Sequence, residues 1–178
     1  MALKRELLRR ADEFKPEEAQ LTTDATELLQ LSCLPSVQDK SNRGYVDGCF
    51  DLCHSGHFNA IRQAAQVIGT LVIGVNSDDD ILRHKGPTIL NEKERISVIK
   101  AVKWGHEVQP NTPYEPNEVL LDALNCQYFI HGDDPVMVDG VNVNDHLAAI
   151  GRFKEVRRTT GVSTTDITGK LLKLINKC

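Results

Sequence analysis

What most constrains this chain is an alternation. From Gly44 onward, short β-branched runs and amphipathic segments take turns along the sequence. Thr70–Val75 reads as a buried strand. Shorter strands are expected at Tyr45-Val46, Glu107-Val108, Tyr128–His131 and Phe153–Val156. Helices are expected between them, over His57–Ile68, Asp78–His84, Asn91–Trp104, Glu115–Leu124 and Asn144–Ile150, with Thr164–Ile175 closing the chain. Ile61, Ala64, Ala65 and Ile68 recur at helical spacing. Asn91 and Glu94 are placed as a capping pair. Strands joined through helices must run parallel, because the crossover returns the chain to the same end of the sheet. The expected class is therefore α/β: a Rossmann-like, doubly wound parallel sheet with helices on both faces. In such sheets ligands bind beyond the carboxyl ends of the strands. A motif in a strand-to-helix loop thus lies where function would be.

Residues 1–43 do not follow the alternation. Leu3, Leu7, Ala11 and Phe14 share a helical face, Pro16 interrupts, and Asp24 with Glu27 resembles a capping box before Leu28 and Leu29. This predicts an N-terminal helical extension and linker over 1–43, followed by one domain over 44–178. Arg5, Arg9 and Arg10 lie close together, as in a membrane-surface helix, but Glu6, Asp12 and Glu13 dilute their charge. A net charge of −4 over 178 residues argues against a nucleic-acid coat. No apolar run approaches the ~20 residues of a membrane span. Five scattered cysteines read as reduced thiols of a cytosolic protein.

Three loops carry chemistry. Asp47–His57 follows the first strand and holds His54 and His57, three apart, with Gly56 between them. Near a helix start the two imidazoles face the same way, beside backbone amides suited to a polyphosphate. Cys49, Cys53, His54 and His57 are also zinc-ligand types, but four ligands within nine residues is poor geometry for one ion. The second loop, Arg83-His84-Lys85-Gly86-Pro87, could send a lysine to a phosphate; a solvated basic face is the plainer alternative. The third, Arg157–Asp166, brings two arginines, hydroxyls and a helix N-terminus together, with Ser163 or Thr164 as the cap. A net acidic chain would thus hold a small basic pocket. Neither G-x-x-x-x-G-K-[ST] nor G-x-G-x-x-G occurs.

His54-Ser55-Gly56-His57 followed by Arg158-Thr159-Thr160-Gly161-Val162-Ser163-Thr164-Thr165, with Lys85-Gly86-Pro87 between, resembles the cytidylyltransferase branch of the nucleotidyltransferases. Asp47–Phe50, His84–Pro87, Ala101–Trp104, Ile130–Pro135 and Gly151–Phe153 make it most similar to the ethanolamine-phosphate cytidylyltransferases. The similarity runs from Gly44 to Leu172.

The resemblance implies that CTP and phosphoethanolamine give CDP-ethanolamine and pyrophosphate, with Mg²⁺ carried by the CTP phosphates. It implies catalytic roles for His54, His57, Lys85 and Arg158. Nucleotide contacts would come from Gly48, Cys49, Phe50, Gly132, Asp133, Arg157, Thr159, Gly161, Val162, Ser163 and Thr164. Lys85, Tyr114, Asp133 and Asp134 would meet the phosphoalcohol. Met137 stands where a choline-type enzyme would place an aromatic ring, which favours a primary ammonium. Phosphocholine or glycerol 3-phosphate as substrate, and a non-catalytic nucleotide-binding half of a tandem enzyme, are the competing readings. A homodimer or a place in a tandem-domain chain, and a cytoplasmic location, peripheral to the endoplasmic reticulum, complete the expectation. Gly105-His106 departs from the Val-Asp that the family tends to carry after Lys103-Trp104.

Overall fold

The structure is a computed structural model that describes residues 42–175, apart from Asp134 and Asp139. The extension expected over 1–43 thus lies outside the described residues, except for Asn42 and Arg43. The strands are β1 (Arg43–Gly48), β2 (Thr70–Asn76), β3 (Glu107–Thr112), β4 (Tyr128–Gly132), β5 (Met137–Val138), β6 (Val141–Asn142) and β7 (Phe153–Val156). The helices are α1 (Ser55–Val67), α2 (Asp78–His84), α3 (Glu92–Lys100), α4 (Glu118–Ala123), α5 (Val143–Ala149) and α6 (Thr164–Ile175).

Five strands pair in the order β3-β2-β1-β4-β7, all parallel. The sheet grows outward from β1 in both directions, which is the doubly wound pattern. Crossovers keep one hand, so reversing the direction of growth moves the helices to the other face. Strand side chains alternate between faces accordingly. Val46, Leu71, Ile73, Val75 and Ile130 meet Ile61 of α1 and Ile99 of α3 in one core. Tyr45, Val72 and Phe129 meet Leu121 of α4 and Leu147 of α5 in the other. The direction reverses between β1 and β4, so the ligand crevice of such a sheet belongs at their carboxyl ends.

Some boundaries differ from the sequence reading, each for a local reason. β1 is six residues rather than two, because it pairs with β2 over its full length. β3 runs to Thr112 along the sheet edge. α1 starts at Ser55 because the His54 ring caps it. α3 stops at Lys100, where Val102 N bonds back to Ile99 O at 3.0 Å. Beyond it Gly105 lies so close to β2 that a Cβ there would sit 2.6 Å from Ile73 Cδ1. His106 pairs twice with Leu71, accepting from its N–H at 3.0 Å through Nδ1 and donating to its carbonyl at 3.1 Å. The departure at 105–106 is thus absorbed by pairing with β2. α4 starts at Glu118, capped by Asn117. The β5–β6 hairpin was not expected; two-residue strands carry no periodicity to read.

Candidate active site

The three loops converge on one cleft of about 580 Å³ at the β1/β4 switch point. Gly48, Cys49, Phe50, His54, His57, Lys85, Gly132, Arg157, Arg158, Thr159, Val162, Ser163 and Thr164 all line it. Tyr114 does not line it but touches it through Lys85. Gly161 stands back, in the turn before α6, at φ +77°. Asp133 lies elsewhere, on a neighbouring cavity with Asn142, Asn144 and Glu155. The structure therefore does not bring the expected Asp133 contact into the cleft. Asp134 lies outside the described residues.

The first loop is tightly wound. Phe50 and Leu52 both take left-handed backbone conformations, at φ 53° and 50°. Such residues cost energy and persist where the surroundings hold them. Here the Asp51 carboxylate accepts from Ile89 N and Leu90 N at 2.8 and 2.9 Å, tying this loop to the segment after Lys85. Thr164 Oγ1 donates to Asp51 O at 3.4 Å, tying it to α6. Arg95 of α3 is fully buried and donates to Cys49 O, Asn76 O and Asp78 Oδ1. One guanidinium fork thus fixes the ends of two loops at once.

The two histidines form a capping box. Gly56 N donates to His54 Nδ1 at 3.1 Å, and His54 N donates to His57 Nδ1 at 3.3 Å. Both Nδ1 atoms therefore act as acceptors, so in the neutral ring each Nε2 carries the hydrogen. The rings sit 4.0 Å apart. Burial pulls the His57 pKa down to about 4, with the neighbouring His54 and Lys85 charges adding to it. Burial and Arg158 lower His54 too. Near pH 7 the pair is thus two uncharged N–H donors at the cleft. Gly56 is required by the His54 ring itself, since a Cβ there would stand 2.9 Å from His54 Cε1 and 3.3 Å from Val162 Cγ1.

Lys85 is the C-cap of α2. Its ammonium lies 5.3 Å from the Tyr114 ring centroid, and that ring stacks on His84 at 4.6 Å. Burial opposes its charge, but Cys49 and Tyr114 outweigh that and hold its pKa above the ordinary lysine value. On the far wall α1 grips the third loop. Gln63 bonds the Arg157 backbone in both directions, and Asn59 donates to Thr159 Oγ1 at 2.8 Å. Ser163 caps α6 by accepting from Asp166 N at 3.0 Å. Asn59 and Gln63 stand four apart on one helix face, a spacing visible in the sequence but without meaning until the loop is seen against it.

Asp47 and His131 are among the cleft residues to which the sequence reading gave no role. Asp47 Oδ2 is sealed from solvent without a hydrogen-bond partner among the described residues. Burial pushes the Asp47 carboxyl up to about 7, against the opposing pull of Asn76 and Lys85. An acid raised above its unfolded value weakens the fold as pH climbs, because the folded state must hold a proton that the unfolded chain releases. The penalty grows from about pH 4 to about pH 7 and is complete above. Asp47→Asn is therefore expected to stabilise the protein by about 2–4 kcal/mol at pH 8, the gain fading toward pH 4. Urea denaturation at the two pH values checks this.

A family profile described as Cytidylyltransferase-like matches residues 45–170, which include all three loops. The chain belongs to the cytidylyltransferase-like family. Its relatives include the ethanolamine-phosphate cytidylyltransferase of Dictyostelium discoideum, 46% identical over 77% of this chain and 38% of that protein. The ethanolamine-phosphate cytidylyltransferase of Mus musculus is 41% identical over 73% of this chain and 32% of that protein. Choline-phosphate cytidylyltransferase 2 of Arabidopsis thaliana is 35% identical over 80% of this chain and 48% of that protein. This cytidylyltransferase-like chain thus spans roughly a third to a half of the length of these relatives. The crystal structure of a lipopolysaccharide core biosynthesis protein from Thermoplasma volcanium superposes with a TM-score of 0.53 at 20% identity, covering 66% of this chain and 96% of that one. At that identity the likeness speaks for the fold alone.

Proposed function

We propose that this chain transfers the cytidylyl group of CTP to phosphoethanolamine, giving CDP-ethanolamine and pyrophosphate. The observation that carries the reading is the pair of fixed Nε2–H donors at His54 and His57, facing one cleft with Lys85, Arg157 and Arg158. A phosphate oxygen of phosphoethanolamine attacks the α-phosphorus of CTP in line. The bond from that phosphorus to the bridging oxygen breaks, and pyrophosphate leaves with the electron pair. The protein supplies positioning and charge stabilisation rather than a nucleophile. His54 and His57 donate to oxygens gaining charge at the pentavalent centre. Lys85 bridges the two phosphates. Arg158 and Thr159 hold the nucleotide, and Ser163, Thr164 and the α6 N-terminus hold the departing pyrophosphate.

The substrate ammonium belongs beside Asp47, a carboxyl group lining the cleft whose Oδ2 has no hydrogen-bond partner among the described residues. Tyr114 stands against Lys85, its ring centroid 5.3 Å from the ammonium. Asp133, which the family resemblance offers for this role, lines a neighbouring cavity. Mg²⁺ would be carried mainly by the CTP phosphates, as the family resemblance implies. Held there it would supply charge neutralisation on the pyrophosphate.

Pairing of two such domains, in a homodimer or a tandem chain, and a cytoplasmic location peripheral to the endoplasmic reticulum are further parts of the proposal. Their support is the family resemblance; sedimentation equilibrium and cell fractionation test them. No helix among the described residues is long and apolar enough to cross a membrane.

The decisive assay offers CTP and Mg²⁺ with phosphoethanolamine, phosphocholine or glycerol 3-phosphate. CDP-ethanolamine is expected to form at least about tenfold faster than the other products, since a site built to bond a polar group discriminates strongly against analogues that lack it. Equal rates from phosphocholine would sink the substrate reading. CTP binding without turnover of any acceptor would instead support a non-catalytic nucleotide module.

A further inference from the structure

His131 has no part in the mechanism above, yet it lines the cleft. It sits near the carboxyl end of β4, its ring stacked on Phe129 with centroids 5.7 Å apart. Its Nδ1 lies 3.2 Å from Gly132 O. A carbonyl oxygen only accepts, so Nδ1 carries the hydrogen and Nε2 of the neutral ring is left as an acceptor. That polarity is opposite to His54 and His57, whose Nδ1 atoms accept and whose Nε2 atoms donate. The cleft therefore holds histidines of two kinds.

Register places the odd one. Tyr45 of β1 pairs with Phe129 of β4 in the parallel sheet. Two residues further along each strand come Asp47 and His131, on the same face of the sheet and on adjacent strands. Both residues line the cleft, Asp47 with a carboxylate oxygen left without a hydrogen-bond partner among the described residues and His131 with Nε2 as an acceptor. The same cleft holds the donors His54 and His57 and the charges of Lys85, Arg157 and Arg158. Phosphoethanolamine has the matching polarity, an anionic phosphate at one end and N–H donors at the other.

We propose that His131 is a specificity-determining residue whose Nε2 accepts an N–H from the primary ammonium of the phosphoalcohol, beside the Asp47 carboxylate. This rests on the substrate reading above and deepens it. Asp47 supplies charge, which a primary and a quaternary ammonium would feel alike. His131 supplies an acceptor, which only a primary ammonium can use. A donor left unpaired in a desolvated site loses its water without compensation. The tautomer of His131 therefore discriminates where charge alone does not.

The test compares wild type, His131→Phe and His131→Gln with phosphoethanolamine and phosphocholine, and measures KM for CTP. Phenylalanine keeps the stack on Phe129 and removes the acceptor. It is expected to lower kcat/KM for phosphoethanolamine about 10- to 100-fold, mainly through KM, the range of one hydrogen bond to a charged group. The phosphocholine kcat/KM and the KM for CTP should change by less than about twofold. Glutamine, whose Oε1 can stand near the Nε2 position, should recover part of the loss. The proposal is overturned if both acceptors fall by the same factor, if phosphoethanolamine is unaffected, or if the KM for CTP rises instead. A wild type that uses phosphocholine but not phosphoethanolamine would defeat the substrate reading first, before any variant is compared. The phosphocholine rate also reports that a variant is folded. Should the phenylalanine variant fail to fold, His131→Met carries the same comparison.

Discussion

Replacing His57 with alanine should lower kcat by about 10²–10³-fold, the usual cost of removing one preorganised donor to a developing oxyanion. The reason is geometric. His57 Nδ1 is already occupied by the His54 backbone N–H at 3.3 Å, so only Nε2 is left to face the phosphates. The same ring does a structural job, and the two jobs separate by substitution. Asparagine can place its oxygen near the Nδ1 position and keep the cap, but it has no group near Nε2. Glutamine reaches the Nε2 position with an amide donor. His57→Asn should therefore be folded and nearly inactive, and His57→Gln partly active. Alanine should in addition lose about 1 kcal/mol of helix capping. Steady-state kinetics and a thermal melt on the three variants check this, and undiminished turnover in His57→Ala would refute the role. The burial that draws His57 down to about 4 also predicts a pH effect. A histidine neutral in the fold but charged when unfolded weakens the protein as pH falls from about 6.5 to about 4.

The largest loss of stability is expected at Arg95. This guanidinium is fully buried, bonds two backbone carbonyls and pairs with Asp78 Oδ1 at 2.7 Å. Arg95→Ala should cost about 3–5 kcal/mol, because it opens a cavity and strands the partners of a buried charge. Arg95→Lys should rescue little, since an ammonium cannot span the Cys49 and Asn76 carbonyls as the planar fork does. Both variants should also lose activity beyond the unfolded fraction, because the Cys49 loop and the start of α2 lose their common anchor. Urea denaturation with parallel assays below the transition measures the two effects separately. Full activity in folded Arg95→Ala would show that the two loops hold themselves.

Much of this was legible before any coordinates. The β–α alternation imposes a parallel sheet, because parallel neighbours need crossovers. Asp78–His84, Phe153–Val156 and Thr164–Ile175 stand in the structure where the sequence reading puts them. The Asn91–Glu94 capping box is present with both bonds made. The loop motifs could be read because each is contiguous in the chain, and the doubly wound topology sends every strand-to-helix loop to one end of the sheet.

What stayed hidden depends on distance in space. Asp47 and His131 are 84 positions apart and come onto adjacent strands of one face only because β1 and β4 pair in one register. Asp133 sits two residues past His131, yet it lines another cavity. Arg95 carries no signal in a helix rich in charge; its role shows only where Cys49 O, Asn76 O and Asp78 Oδ1 close on it from two connections. The sequence by itself determined the parallel sheet and the contiguous phosphate loops, since these follow from periodicity and motif. Only the tertiary structure decided which nitrogen each histidine offers and which acid faces the cleft. Those choices are made by hydrogen bonds and burial, which periodicity does not encode.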